Sequence, residues 1–113
     1  MTEDELLVEV TGQCDALGLR WHHVYDSRRQ PVREHPVLAG WVDLVIVGGG
    51  GILFRELKGS DGVVQPDQRR WGGAITQAGG DWAVWRPRDL AGGVIARQLA
   101  AVTASSARPA TAG

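Results

Sequence analysis

The chain has 113 residues, 43% of them hydrophobic and 22% charged, with a formal net charge of −1. That length suits one small domain with a modest core, and the near-neutral balance leaves nucleic acid undecided because a local basic patch can hide within it. One cysteine, Cys14, excludes an intramolecular disulfide and suits a reducing compartment. No stretch reaches the roughly 18 apolar residues of a membrane span, and the acidic start Met1-Thr2-Glu3-Asp4-Glu5 lacks the basic opening of a secretory signal; the expected location is cytoplasmic.

In chain order, residues 3–17 read as a helix, with Leu6, Leu7, Val10, Cys14 and Leu17 on one stripe. Thr2 and Glu5 fit a capping box, and Gly18 stops the helix. Leu19 to Tyr25 alternates as a first strand. Residues 26–40, with Pro31 and Pro36, read as a loop. Two apolar runs at 43–47 and 52–58, joined by the four glycines Gly48 to Gly51, read as a hairpin. Gly59-Ser60-Asp61-Gly62 is a turn. Pro66 then opens a second helix at its first position, with Trp71, Ala74, Ile75 and Ala78 on one face. Gly72 and Gly73 inside it each cost about 1 kcal/mol relative to alanine. Gly79-Gly80 ends this helix, Asp81 to Arg86 is a last strand stopped by Pro87, and residues 89–102 read as a third helix. The expected architecture is α/β, a small mixed sheet flanked by helices over residues 1–102. Residues 103–113, rich in Ala, Ser, Thr, Pro and Gly, read as a disordered tail.

The hairpin makes a chemical prediction. If Val47 faces Ile52, then Val45 faces Phe54 and Asp43 faces Glu56. Directly opposed residues have Cβ atoms about 5 Å apart. Two carboxylates that close repel unless a proton or a cation lies between them. The period-2 pleat puts Lys58 on the same face as Glu56. A divalent cation on the two carboxylates orients a phosphate and activates water, and the lysine stabilises charge or positions that water. The plainer reading is a solvated strand end with an ordinary Glu–Lys pair.

Other candidates carry weaker signals. Glu3 lies three, four and seven residues before Leu6, Leu7 and Val10, so it points along the buried stripe; a solvated first-turn acid is the alternative. Ser27, Arg28 and Arg29 suit phosphate contact or plain surface charge. Gln68 and Arg69, at the start of the second helix, are placed to reach a phosphate near Lys58 or to stand in solvent. His22 and His23 face opposite sides of a strand and make no metal pair by themselves. Trp82 and Trp85 read as packing residues. The glycine run 48–51 lacks a following helix and a Lys-Ser/Thr, so it is no phosphate loop.

Taken together, these residues resemble the VRR-NUC (virus-type replication-repair nuclease) domains of the PD-(D/E)XK superfamily, above all short stand-alone phage proteins. The resemblance covers about Glu3 to Leu90. The Pro-Asp motif falls at Val42-Asp43 and the acid-x-Lys motif at Glu56-Leu57-Lys58. Ser27-Arg28-Arg29, Pro66-Asp67-Gln68 and Trp85-Arg86-Pro87 match further motifs, as do Glu3 and Val10. Val42 in place of the motif proline, a long loop from Gln30 to Gly40 and Gly72-Gly73 are departures.

The resemblance implies a restriction-endonuclease-like αβββαβ core. It implies Mg²⁺ or Mn²⁺ on Asp43, Glu56 and the Leu57 carbonyl, Lys58 assisting the attacking water, and Glu3 as a further carboxylate. Gln68, Ser27 and Arg28 would be phosphate or supporting contacts. The implied reaction is hydrolysis of phosphodiester bonds in DNA, branched DNA such as four-way junctions included, by a homodimer in a bacterial host cytoplasm if phage-encoded. Two other readings stay open: a DNA-binding module of the same fold without turnover, and an interaction domain whose carboxylates hold a structural cation.

Overall fold

The computed structural model describes residues 1–24 and 39–103. Its elements are α1 (Glu3–Ala16), β1 (Arg20–His23), β2 (Leu44–Gly48), β3 (Gly51–Leu57), α2 (Pro66–Gln77), β4 (Asp81–Trp85), α3 (Pro87–Ala91) and α4 (Val94–Thr103). They build one four-stranded sheet in the order β1-β2-β3-β4. β1, β2 and β3 pair antiparallel, and β4 joins parallel to β3 after the α2 crossover. The mixed sheet flanked by helices is the α/β architecture expected from the sequence.

The hairpin register follows from its symmetry: Val47 pairs with Ile52, Val45 with Phe54 and Leu44 with Arg55. Because side chains alternate across a strand, Leu44, Ile46, Leu53 and Leu57 point to one face and form the core with Leu6, Val10 and Cys14 of α1 and Ile95, Leu99 and Val102 of α4. Residues Val45, Phe54 and Glu56 point to the other face, where α2 packs. Thr2 caps α1 through a reciprocal box: its hydroxyl accepts from the Glu5 N–H at 3.1 Å, and its own N–H donates to Glu5 Oε1 at 2.8 Å. Leu17, expected on the buried stripe, is instead the exposed C-cap. Cys14 is inert packing, its thiol pushed up to about 11 by burial.

Two expectations about helices need correction. The third helix is broken: α3 ends at Ala91, and Gly93, with φ of 81°, turns the chain before α4 begins. A left-handed residue of this kind ends a helix, so the pair Gly92-Gly93 was the signal. The face of α2 that meets the sheet also differs from the expected one, since Ala74 and Ala78 are exposed while Gly72 is buried. A Cβ on Gly72 would lie 2.4 Å from Trp82 Cε2. The glycine lets the helix rest on the indole. Gly72→Ala is therefore expected to destabilise the protein by about 1–3 kcal/mol through overpacking, although alanine is the better helix former; a rise in melting temperature would show that the close approach is not needed.

The end of α4 closes over the hairpin turn. Gly50 N–H donates to the Val102 carbonyl at 2.6 Å, and a Cβ on Gly48 would lie 2.3 Å from that oxygen. The hairpin glycines thus serve packing. Residues 104–113, the bulk of the expected tail, and Tyr25 to Leu38 lie outside the described residues.

Candidate active site

Asp43 stands one step before β2, opposite Glu56, and is held from both sides. Its backbone carbonyl accepts the Val24 N–H at 2.8 Å, and its carboxylate Oδ2 accepts the Leu57 N–H at 2.8 Å. Glu56 lies next to the end of β3, between Asp43 and Val84 of β4. Lys58 follows one pleat later, with its N–H on the Trp85 carbonyl at 3.0 Å and its Nζ 3.6 Å from Glu56 Oε2. The two acids and the amine converge on the α2 face of the sheet, as the register predicts.

Burial gives the arrangement its chemistry. Glu56 is 1% exposed and Lys58 6%. Taking an ionised carboxylate out of water is costly unless partners replace the water. Glu56 Oε2 has such partners in Lys58 and in Gln68, whose Nε2 donates at 2.7 Å. Oε1 is buried with no hydrogen-bond donor in reach. Desolvation first, then the Asp43 carboxyl beside it, push the Glu56 carboxyl up to about 9. A carboxylate oxygen in that position calls for a proton shared with Asp43 or for a cation.

Gln68 is fixed at both ends. Its Oε1 accepts the Gln65 N–H at 2.8 Å at the start of α2, which leaves Nε2 to donate to Glu56. Arg69 does not join this group; it turns outward beside Gly73 and Trp82. Glu3 opens α1 near the Gly59-Ser60 turn, and its charge raises the Glu56 carboxyl further. Leu57 buries its side chain in the core on the opposite face. Ser27, Arg28 and Arg29 lie outside the described residues. His22 is exposed on the edge strand. Among the described residues, no three His, Cys, Asp or Glu side chains cluster closely enough to make a metal cage by themselves.

No family model matches the chain, and no curated protein matches it either. Among solved structures it is similar to a VRR_NUC domain protein, with a TM-score of 0.63 and 20% identity over 91% of this chain and 92% of that one. The chain has the VRR_NUC fold. A weaker likeness, with a TM-score of 0.44 and 22% identity over 76% of this chain and 66% of that one, is to Archaeoglobus fulgidus Hjc, a Holliday junction resolvase from an archaeal hyperthermophile.

Two arginines of this VRR_NUC fold have structural roles that the sequence did not reveal: Arg86, named there only within the Trp85-Arg86-Pro87 motif, and Arg55, not named at all. Arg86 donates through Nη1 to the carbonyls of Gly59, at 3.2 Å, and Gly62, at 2.7 Å. The turn it grips lies close beside the Lys58 side chain, since a Cβ on Gly62 would lie 3.2 Å from Lys58 Cδ. It also touches the start of α1, where Ser60 N–H donates to the Met1 carbonyl at 3.3 Å. Arg86 thereby ties Lys58 and the Glu3 end of α1 to β4. Arg55 is 1% exposed on the core face. It donates to the Asp81 carbonyl at 2.6 Å, to Asp81 Oδ1 at 2.9 Å and to Gln98 Oε1 at 2.9 Å, and stacks 5.0 Å from the Trp85 ring centroid. Its placement between apolar Phe54 and buried Glu56 was the only sequence signal, and alternation alone gives no partner.

Proposed function

We propose that this chain is a Mg²⁺- or Mn²⁺-dependent deoxyribonuclease that hydrolyses phosphodiester bonds, with branched DNA as its preferred substrate. The observation that carries the reading is the buried, unpartnered Oε1 of Glu56 opposite Asp43. A hard divalent cation prefers such oxygens, so the residues present fit one. Asp43, Glu56 and the Leu57 carbonyl would hold it, and the short ligand list leaves places for water and for a phosphate. The cation would supply Lewis acidity toward the phosphate and a more acidic water.

The chain's own residues do the rest. Lys58, kept buried beside Glu56, holds its positive charge where negative charge builds on the phosphate and orients the attacking water. Gln68 keeps the Glu56 carboxylate in one rotamer, and Glu3 adds a further carboxylate at the rim. Arg28, Arg29 and Ser27 are assigned to phosphate contacts. Exposed Val47 and Ile52 give the hairpin an apolar patch suited to a second copy, and a homodimer matches a substrate cut on two strands. No described helix is long and apolar enough to cross a membrane. The setting that goes with a DNA-cleaving enzyme is the cytoplasm, that of a bacterial host if the chain is phage-encoded.

The test is cleavage of a labelled four-way junction beside a matched linear duplex, with Mg²⁺, with Mn²⁺ and with EDTA. Metal-dependent cutting of the junction by wild type, absent in Asp43→Asn, is the expected result. Binding without cutting under all conditions would instead favour a DNA-binding module that has lost turnover.

A further inference from the structure

Helix α2 carries two adjacent glycines, and packing explains only one. Gly72 is required by Trp82, whereas a Cβ on Gly73 would meet nothing within 4 Å. A glycine inside a helix is costly relative to alanine, and one common reason to keep it is close approach of the backbone to a ligand. Gly73 opens onto a shallow, largely solvent-open groove of about 520 Å³ lined by Arg69, Gly72, Gly73, Thr76, Gln77 and Trp82. Arg69 and Gln77 lie one helical turn to either side of Gly73, so the three form a stripe. The stripe runs alongside the one formed by Gln68 and Gly72, which faces the sheet. Trp82 is one of the lining residues, and its Nε1 is buried with no hydrogen-bond partner.

The groove adjoins the candidate active site. Trp82 pairs with Phe54 and Val84 with Glu56, so Trp82 and Glu56 share one face of the sheet, one two-residue pleat or about 7 Å apart along the strands. An exposed cation, an indole, an open helix backbone, a hydroxyl and an amide in one groove match the way proteins hold unpaired nucleotides. The cation takes the phosphate and the aromatic surface takes the base, while the amide and hydroxyl meet its polar edge.

We propose that this groove binds an unpaired nucleotide of the DNA strand, which rests on the reading of the chain as a DNA-processing protein. The sugar-phosphate backbone passes over Gly73 with a phosphate on Arg69, and the base lies against the part of half-buried Trp82 that α2 leaves uncovered. The proposal accounts for the second glycine and gives exposed Arg69 a ligand.

The test is binding of a fluorescein-labelled 12-mer of deoxythymidine and of a matched duplex, followed by anisotropy in EDTA so that no strand is cut. Wild type, Gly73→Leu and Arg69→Ala are compared, with melting curves for each. Leucine fills the groove from an open position on a helix, so the fold is retained. The expected result is single-strand affinity weakened at least tenfold in Gly73→Leu and severalfold in Arg69→Ala, with duplex affinity changed less. Unchanged single-strand affinity in folded Gly73→Leu, or no single-strand binding by wild type, overturns the proposal. Should Gly73→Leu fail to fold, Arg69→Ala decides: full single-strand affinity there overturns the proposal as well. The failures are separable. Junction cleavage with groove-independent binding removes the groove and leaves the nuclease; groove-dependent binding without cleavage removes the nuclease and leaves the groove.

Discussion

Glu56→Gln is expected to abolish DNA cleavage and, at the same time, to raise the melting temperature of the metal-free protein. The two effects share one cause. Glu56 is buried opposite Asp43, with one oxygen lacking any donor. Glutamine keeps the shape and still accepts from Gln68 Nε2 through its amide oxygen. Its NH₂ takes the place of the carboxyl O–H that the metal-free folded state keeps near neutral pH and can donate to Asp43, and being neutral in both states it removes the cost of taking up that proton on folding. The change removes a charged ligand oxygen. Loss of supporting residues around metal ligands alone costs 10–100-fold, so loss of the ligand is expected to exceed about 100-fold in rate. Cleavage assays and thermal melts on the same preparation read both signs. A variant that cleaves like wild type would remove Glu56 from the chemistry, and one that melts lower would show that the native carboxylate is well satisfied.

Heating the metal-free protein across a pH series is expected to show stability falling as pH rises from about 5 to about 9. An unfolded glutamate titrates near 4.5, whereas burial and Asp43 hold folded Glu56 up to about 9. Between those values the folded state keeps a proton that the unfolded state has lost. Stability then decreases with pH in that window, being fully present below the unfolded value and lost by the folded one. One kcal/mol corresponds to about 4–8 °C for a domain of this size, so a fall of at least about 5 °C is expected. Divalent cation replaces the proton, and its affinity rises with pH. At a concentration of 100 times its dissociation constant it restores about 2.7 kcal/mol. Wild type with Mg²⁺ should therefore melt highest relative to its EDTA control near the alkaline end, and Glu56→Gln should show neither the slope nor the cation effect. A flat profile for wild type in EDTA would mean that the carboxyl pair is more hydrated than its burial indicates.

The hairpin shows how much of this was legible beforehand. Two apolar runs about a short glycine turn allow one symmetric register, and that register places Asp43 opposite Glu56 and Lys58 on the same face. The observed pairs Val47 with Ile52 and Val45 with Phe54 have this register. The capping box of Thr2 and Glu5 was equally readable, because a cap is a contact over three residues. What stayed hidden depends on contacts distant in sequence. The partners of Arg55 are Asp81 and Gln98, reached only after the chain has crossed the sheet and returned as α4. Gly72 reads as a flaw in a helix until Trp82 lies against it. Gln68 and Arg69, neighbours with the same polar character, separate because α2 turns about 100° per residue and rests on the sheet by only one side.

Met1 and the end of α4 meet opposite poles of the sheet. Met1 touches the Gly59-Ser60 turn beside Lys58, whereas Val102 is pinned to the hairpin at Gly50, the length of β3 away, about 23 Å at 3.3 Å per residue. A polypeptide joined ahead of Met1 would crowd the carboxylates and any DNA reaching them. The end of α4 lies instead against the hairpin turn, away from the carboxylates, so the two poles of β3 divide the labour: one end carries the acids and the other is closed by a helix.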